Sequence, residues 1–167
     1  ISASRIAANS ISLDKINNIS IESSTSGALS LVIGDQGAGG SNTGYYNYGI
    51  GRRVMAGLQS SDGNIALGYE AGYYVCEGDN FDGYNVAIGH QAAKGLATGH
   101  TSIRNTVVGN NAMMVHTSAS YNTCIGNNAG YRINGGDNNV LVGSGALGTT
   151  AANSSSYQYP TSNVAIG

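Results

Sequence analysis

Short apolar runs recur along this chain, each closed by a glycine and parted from the next by polar residues. The run is five residues long: Asn, a β-favouring residue, a small or apolar residue, Ile, Val or Leu, then Gly. It stands as Asn64-Ile-Ala-Leu-Gly68, Asn85-Val-Ala-Ile-Gly89, Asn105-Thr-Val-Val-Gly109 and Asn122-Thr-Cys-Ile-Gly126, and again as Asn139-Val-Leu-Val-Gly143 and Asn163-Val-Ala-Ile-Gly167. Ser30-Leu-Val-Ile-Gly34 and Asn47-Tyr-Gly-Ile-Gly51 are looser copies. Successive side chains of a strand point to opposite faces, so positions two and four share one face and position three takes the other. Position four is Ile33, Ile50, Leu67, Ile88, Val108, Ile125, Val142 and Ile166, apolar in all eight copies. These eight are the predicted structural core of the repeat, each stacking on its equivalents in adjacent coils. Position three never carries a charge or a large polar group, so both faces read as buried. A half-solvated sheet would alternate apolar with polar. One narrow coil has one interior, so the second face calls for a partner, most simply another copy of the chain.

The closing glycines are 17, 17, 21, 20, 17, 17 and 24 residues apart. A base period of 17 with insertions of three, four and seven fits every interval, and a fixed period of this size marks a solenoid. A small residue follows three places after most of the glycines, as at Val54, Ala71, Ala92, Ala112, Ala129 and Ala146. Each unit therefore predicts a strand, a glycine corner, a short second strand and a polar loop, with the insertions looping outward near 74–84, 94–104 and 148–162. Glycine at position five permits a sharp corner. Asn at position one tolerates the left-handed region, and equivalent Asn residues in stacked coils can also ladder. Residues 26–167 form this β-roll, with motif glycines at 34, 51, 68, 89, 109, 126, 143 and 167. Residues 1–25 differ: Ile1, Ile6, Ile11 and Ile16 are five apart, a period that fits neither helix nor strand. They read as an extended shaft or neck.

The joint pattern resembles the head repeats of trimeric autotransporter adhesins of the YadA type. It resembles still more the related repeats of phage tail fibres, where Asn-Thr-x-Ile-Gly-x-x-Ala-Gly-Tyr is typical. Asn122 to Tyr131 matches that form throughout, and Asn64 to Tyr73 departs from it at Ile65 and, conservatively, at Leu67. The resemblance implies an all-β, left-handed parallel β-roll or β-solenoid of about eight coils, in which three chains wind together as a homotrimer. It implies a virion-surface protein that serves structure and host attachment. Its partners would be itself, neighbouring fibre or baseplate proteins, and a host-surface glycan or protein receptor. The longer, irregular period favours the fibre over the alternative, the head of a bacterial adhesin at the outer cell surface. A non-catalytic part of a carbohydrate-degrading tailspike is the second alternative.

Composition narrows the field without changing it. There are 26 glycines and one proline, and charged residues make up 10% of the chain, where a soluble domain averages about 25%. Disorder is built from charge and proline, and collagen needs a three-residue glycine period, so both are excluded. A net charge of −2 with scattered basic residues gives no footprint for nucleic acid. No apolar stretch is long enough to insert in a membrane as a helix. The chain opens on Ile1 and carries no signal peptide, and reads as a segment of a longer protein.

Candidate chemistry is sparse. No nucleophile–base arrangement stands out, so no enzyme, catalytic residue or cofactor is expected. His90, His100 and His116 lack ligand spacing, and Glu77, Asp79 and Asp82 do not match a calcium loop, so no metal site is expected. Cys76 and Cys124 lie three motifs apart, too far to bridge. Tyrosine supplies 11 of the 12 aromatic residues, and its rigid amphipathic ring suits sugars and protein receptors. Tyr74, Tyr84, Tyr157 and Tyr159, in or beside the variable loops, are the candidate surface contacts.

Overall fold

A computed structural model describes residues 30–34, 44–58, 60–74, 83–96, 101–148 and 161–167. The shaft at 1–25, Cys76, His100, the three carboxylates of 77–82, and Tyr157 and Tyr159 lie outside the described residues. The described chain is all-β and contains no helix. Strands β1 (Leu31–Ile33), β2 (Tyr48–Ile50), β3 (Ile65–Leu67), β4 (Val86–Ile88) and β5 (Thr106–Val108) stack in parallel in chain order. Strands β6 (Val115–His116) and β8 (Arg132–Ile133) pair apart from them, while β7 (Thr123–Ile125), β9 (Val140–Val142) and β10 (Val164–Ile166) continue the first sheet to eight strands. The result is a parallel β-solenoid to which each motif copy contributes one strand.

Register is uniform. Position three pairs with position three and position four with position four at every step, from Val32↔Gly49 to Ala165↔Leu141. The insertions leave this register untouched.

Position three faces the interior. Val32, Ala66, Ala87, Val107, Cys124 and Leu141 are buried, together with the small-residue column Val54, Ala71, Ala92, Ala112, Ala129 and Ala146. Volumes compensate across each coil: Gly49 sits opposite Val54, whose methyl group would touch an added Cβ, and Met55 and Leu58 fill the same layer.

The core expected at position four is therefore not the coil's own interior. Ile50, Leu67, Ile88, Ile125 and Ile166 are exposed on the outer face of the sheet, and Ile33, Val108 and Val142 are half-buried there. The stacking of Ile125 between Val108 and Val142 is present, but on the outside. The physical reason is the asparagine at position one, which shares a face with position three and needs the interior.

There the asparagines form a continuous ladder. The Oδ1 of Asn47 accepts the backbone N–H of Asn64 at 2.9 Å and its side-chain amide at 3.0 Å. The same pair of bonds recurs through Asn85, Asn105, Asn122, Asn139 and Asn163. The amides of Asn64, Asn85, Asn105 and Asn122 have a second acceptor where the loop passes, such as the carbonyl of Ala119 for Asn105 at 2.8 Å. At the lower end Ser30 takes over, its hydroxyl accepting the N–H of Asn47 at 3.1 Å. That accounts for serine in the first copy.

Left-handed backbone falls elsewhere than at Asn. The residue before it carries the positive φ, as at Tyr46 (58°), Tyr84 (46°), Arg104 (55°) and Tyr121 (59°). So do the second and fourth residues after the motif glycine, as at Glu70 (51°) and Met113 (46°). L-residues pay about 1–2 kcal/mol for this conformation, so stacking holds the corners, not local preference. The motif glycine itself is required by close approach: at Gly126 (φ 135°) a Cβ would overlap the carbonyl oxygen of Gly143.

Candidate functional site

Two surface features stand out, and the tyrosines divide between them and a third location. The first is the outer face of the eight-stranded sheet. Positions two and four make two parallel columns along it, with Leu31, Ile65, Val140 and Val164 at position two beside the position-four residues already named. Ile65 is 41% exposed, Ile50 53% and Val164 70%. The only polar groups in these columns are the hydroxyls of Tyr48, Thr106 and Thr123, and there is no charge. At about 4.8 Å per strand the stripe runs the length of the eight-stranded sheet, and a contiguous exposed apolar patch rimmed by polar residues marks an interaction surface.

The second feature is a cavity of about 280 Å³ on the side of the second strands, around Glu70. Glu70 sits two residues past its motif glycine, where the left-handed turn aims its side chain along the stack. The residue is 3% exposed and its two carboxylate oxygens are both engaged. Arg53, one coil below at the same phase, pairs with Oε1, while the Lys94 ammonium reaches Oε2 at 2.6 Å and the Gln91 amide donates to it at 2.9 Å. Burial pushes the Glu70 carboxyl up, but hydrogen bonds from Lys94, Gln91 and Tyr69 push it down further, to about 2. Arg53 also donates to the Tyr73 hydroxyl at 2.9 Å and lies 4.8 Å over the Tyr73 ring.

Tyr74, one of the expected contacts, lines this cavity, packed edge-on against Tyr73 with ring centroids 4.3 Å apart. Leu96, Met114 and Val115 form an apolar wall. Tyr84 does not join them. It belongs to the exposed column just before the asparagines, where Arg104 lies between its ring (5.9 Å) and that of Tyr121 (5.6 Å) and donates to the Tyr121 hydroxyl at 2.7 Å.

Reading the sequence for loop tyrosines missed Arg53, Glu70 and Lys94. The signal for two of them was present: Arg53 and Glu70 are 17 residues apart, opposite in charge and equal in phase. Lys94 reaches the same carboxylate from a different phase, which only the folded coil reveals.

Of the buried groups, the His116 ring donates through Nδ1 to the Met113 carbonyl at 2.9 Å. Cys124 is a free thiol that burial pushes up to about 12. Among the described residues no group of three His, Cys, Asp or Glu side chains is placed to hold a metal ion. Compared with protein-family models, curated proteins and solved structures, the chain matches none.

Proposed function

We propose that this chain is a segment of a phage tail fibre, a left-handed β-solenoid that assembles as a homotrimer at the virion surface and serves structure and host attachment. The apolar outer face of the sheet carries the reading. An aliphatic stripe running the length of eight strands is costly in water, at about 25 cal/mol per Å² of apolar surface, and three copies facing one another remove it from solvent at once. Such an interface is isotropic along the axis, as a fibre needs. The motif Asn122–Tyr131 supplies the resemblance to fibre repeats, and the second-strand side then faces outward, where a receptor is met. The role is mechanical and adhesive rather than catalytic.

Light scattering tests assembly: the purified protein should have about three times the 16.9 kDa mass of the chain, and a folded monomer at micromolar concentration would overturn the reading. Attachment is tested by adsorption of the labelled trimer to intact bacteria. Absence of adsorption to any strain that the parent particle infects would remove the host-attachment half.

A further inference from the structure

We propose that the cavity at Arg53, Lys94 and the Tyr73–Tyr74 pair binds a single sugar residue that carries a carboxylate. The chemistry of the lining sets this class. Among the described residues two cations, Arg53 and Lys94, face one carboxylate, Glu70, so these three groups carry one positive charge in excess. Both cations reach solvent: their side chains are 34% and 25% exposed, against 3% for Glu70. An ammonium has three N–H donors, and Lys94 spends one on Glu70 among the described residues. Lys94 lines the cavity, so its remaining donors are within reach of an incoming anion for a charge-assisted bond. The ion cluster that holds Lys94 and Arg53 in place is already formed, so binding needs little further ordering.

The rest of the lining excludes a bare anion. Tyr73 and Tyr74 meet edge-to-face, and Leu96, Met114 and Val115 stand across from the charged groups. An inorganic anion has no use for such a wall, whereas a pyranose presents a C–H face to rings and aliphatic carbons and hydroxyls to charged side chains. A neutral sugar would leave the excess charge unmatched. The volume, about 280 Å³, lies just below that of drug-sized ligand pockets, roughly 300–1,000 Å³, and suits one sugar unit rather than a long chain. This deepens the attachment reading and rests on it only for the source of the sugar, the host surface.

The test is a ligand-observed NMR titration of the assembled protein with sodium glucuronate, glucose and inorganic phosphate at constant ionic strength. Glucuronate should bind at least about tenfold tighter than glucose, the effect of one hydrogen bond to a charged group, and phosphate should not displace it. Leu96 is 51% exposed, so its variants fold. Leu96→Glu and Leu96→Gln both remove part of the apolar wall, and Leu96→Glu should weaken glucuronate about tenfold more than Leu96→Gln does, the difference being charge repulsion. Equal binding of glucuronate and glucose, displacement by equimolar phosphate, or equal affinities in Leu96→Glu and Leu96→Gln would each overturn the proposal. Glucuronate binding without adsorption to cells would sink the attachment reading and leave the pocket standing; adsorption without glucuronate binding does the reverse.

Discussion

Asn105 occupies the middle of the interior ladder and satisfies four polar partners. Its Oδ1 accepts from the backbone and side chain of Asn122, and its amide donates to Asn85 and to the Ala119 carbonyl. Asn105→Ala strands at least the Asn122 N–H and the Ala119 carbonyl, so it should cost roughly 2–6 kcal/mol per chain, at about 1–3 for each buried unsatisfied group. Urea denaturation of the variant and parent measures the difference. Cys124 reports the same dry interior. With its thiol held at about 12 and the thiolate the reactive form, it should resist iodoacetamide at pH 8 in the native protein and react on unfolding. Mass spectrometry after timed alkylation distinguishes the two states. At this scale the sequence was half legible. The strict alternation of Val107 and Val108 shows two faces but not which is inside, because both are apolar. Only the need to bury the Asn105 side chain breaks the tie, and that becomes visible once the ladder is seen.

A single coil binds its neighbours through corners as well as strands, and Glu70 joins three of them, accepting from Arg53 below and from Gln91 and Lys94 above. Its carboxyl is lowered from 4.5 to about 2 in the folded state. A group whose folded value is depressed contributes stability above its unfolded value and loses it as the pH falls through the folded one. The contribution is therefore complete above pH 4.5 and fades from there towards pH 2. The thermal midpoint should fall across that window, and Glu70→Gln should flatten the slope while lowering the midpoint at pH 7. Strands, by contrast, were readable from the motif alone: β3, β4, β5, β7, β9 and β10 each cover positions two to four of an Asn-initiated copy. The short pair β6 and β8 was foreseen only as a second strand in every unit. It forms where Val115 and Ile133 supply β-branched residues, whereas the corresponding stretch near Leu58 has glycine beside it.

For the molecule as a whole, the outer face separates folding from association. Ile125 is 40% exposed in the chain and belongs to no coil interior, so Ile125→Asp combined with Ile88→Asp should keep the β-sheet circular dichroism and abolish the trimer proposed above. Sedimentation velocity reads the outcome; a trimer that survives both substitutions would place the interface elsewhere. Val107→Asp, inside the coil, should abolish the β signal itself. The two apolar faces of the strand were legible in the sequence, and the polar site was not. Arg53, Glu70 and Lys94 are spread over 42 positions and become neighbours only when three coils stack.

Uniform register has a genetic consequence. Residues 110–126 and 127–143 are each 17 long and run from one motif glycine to the next, with asparagine, alanine and glycine at identical offsets. Unequal crossing-over between their coding sequences would delete or duplicate a whole coil while every ladder, corner and close glycine contact finds an equivalent neighbour. The solenoid could then be lengthened or shortened in steps of about 4.8 Å per coil, by recombination alone and without a single new amino acid.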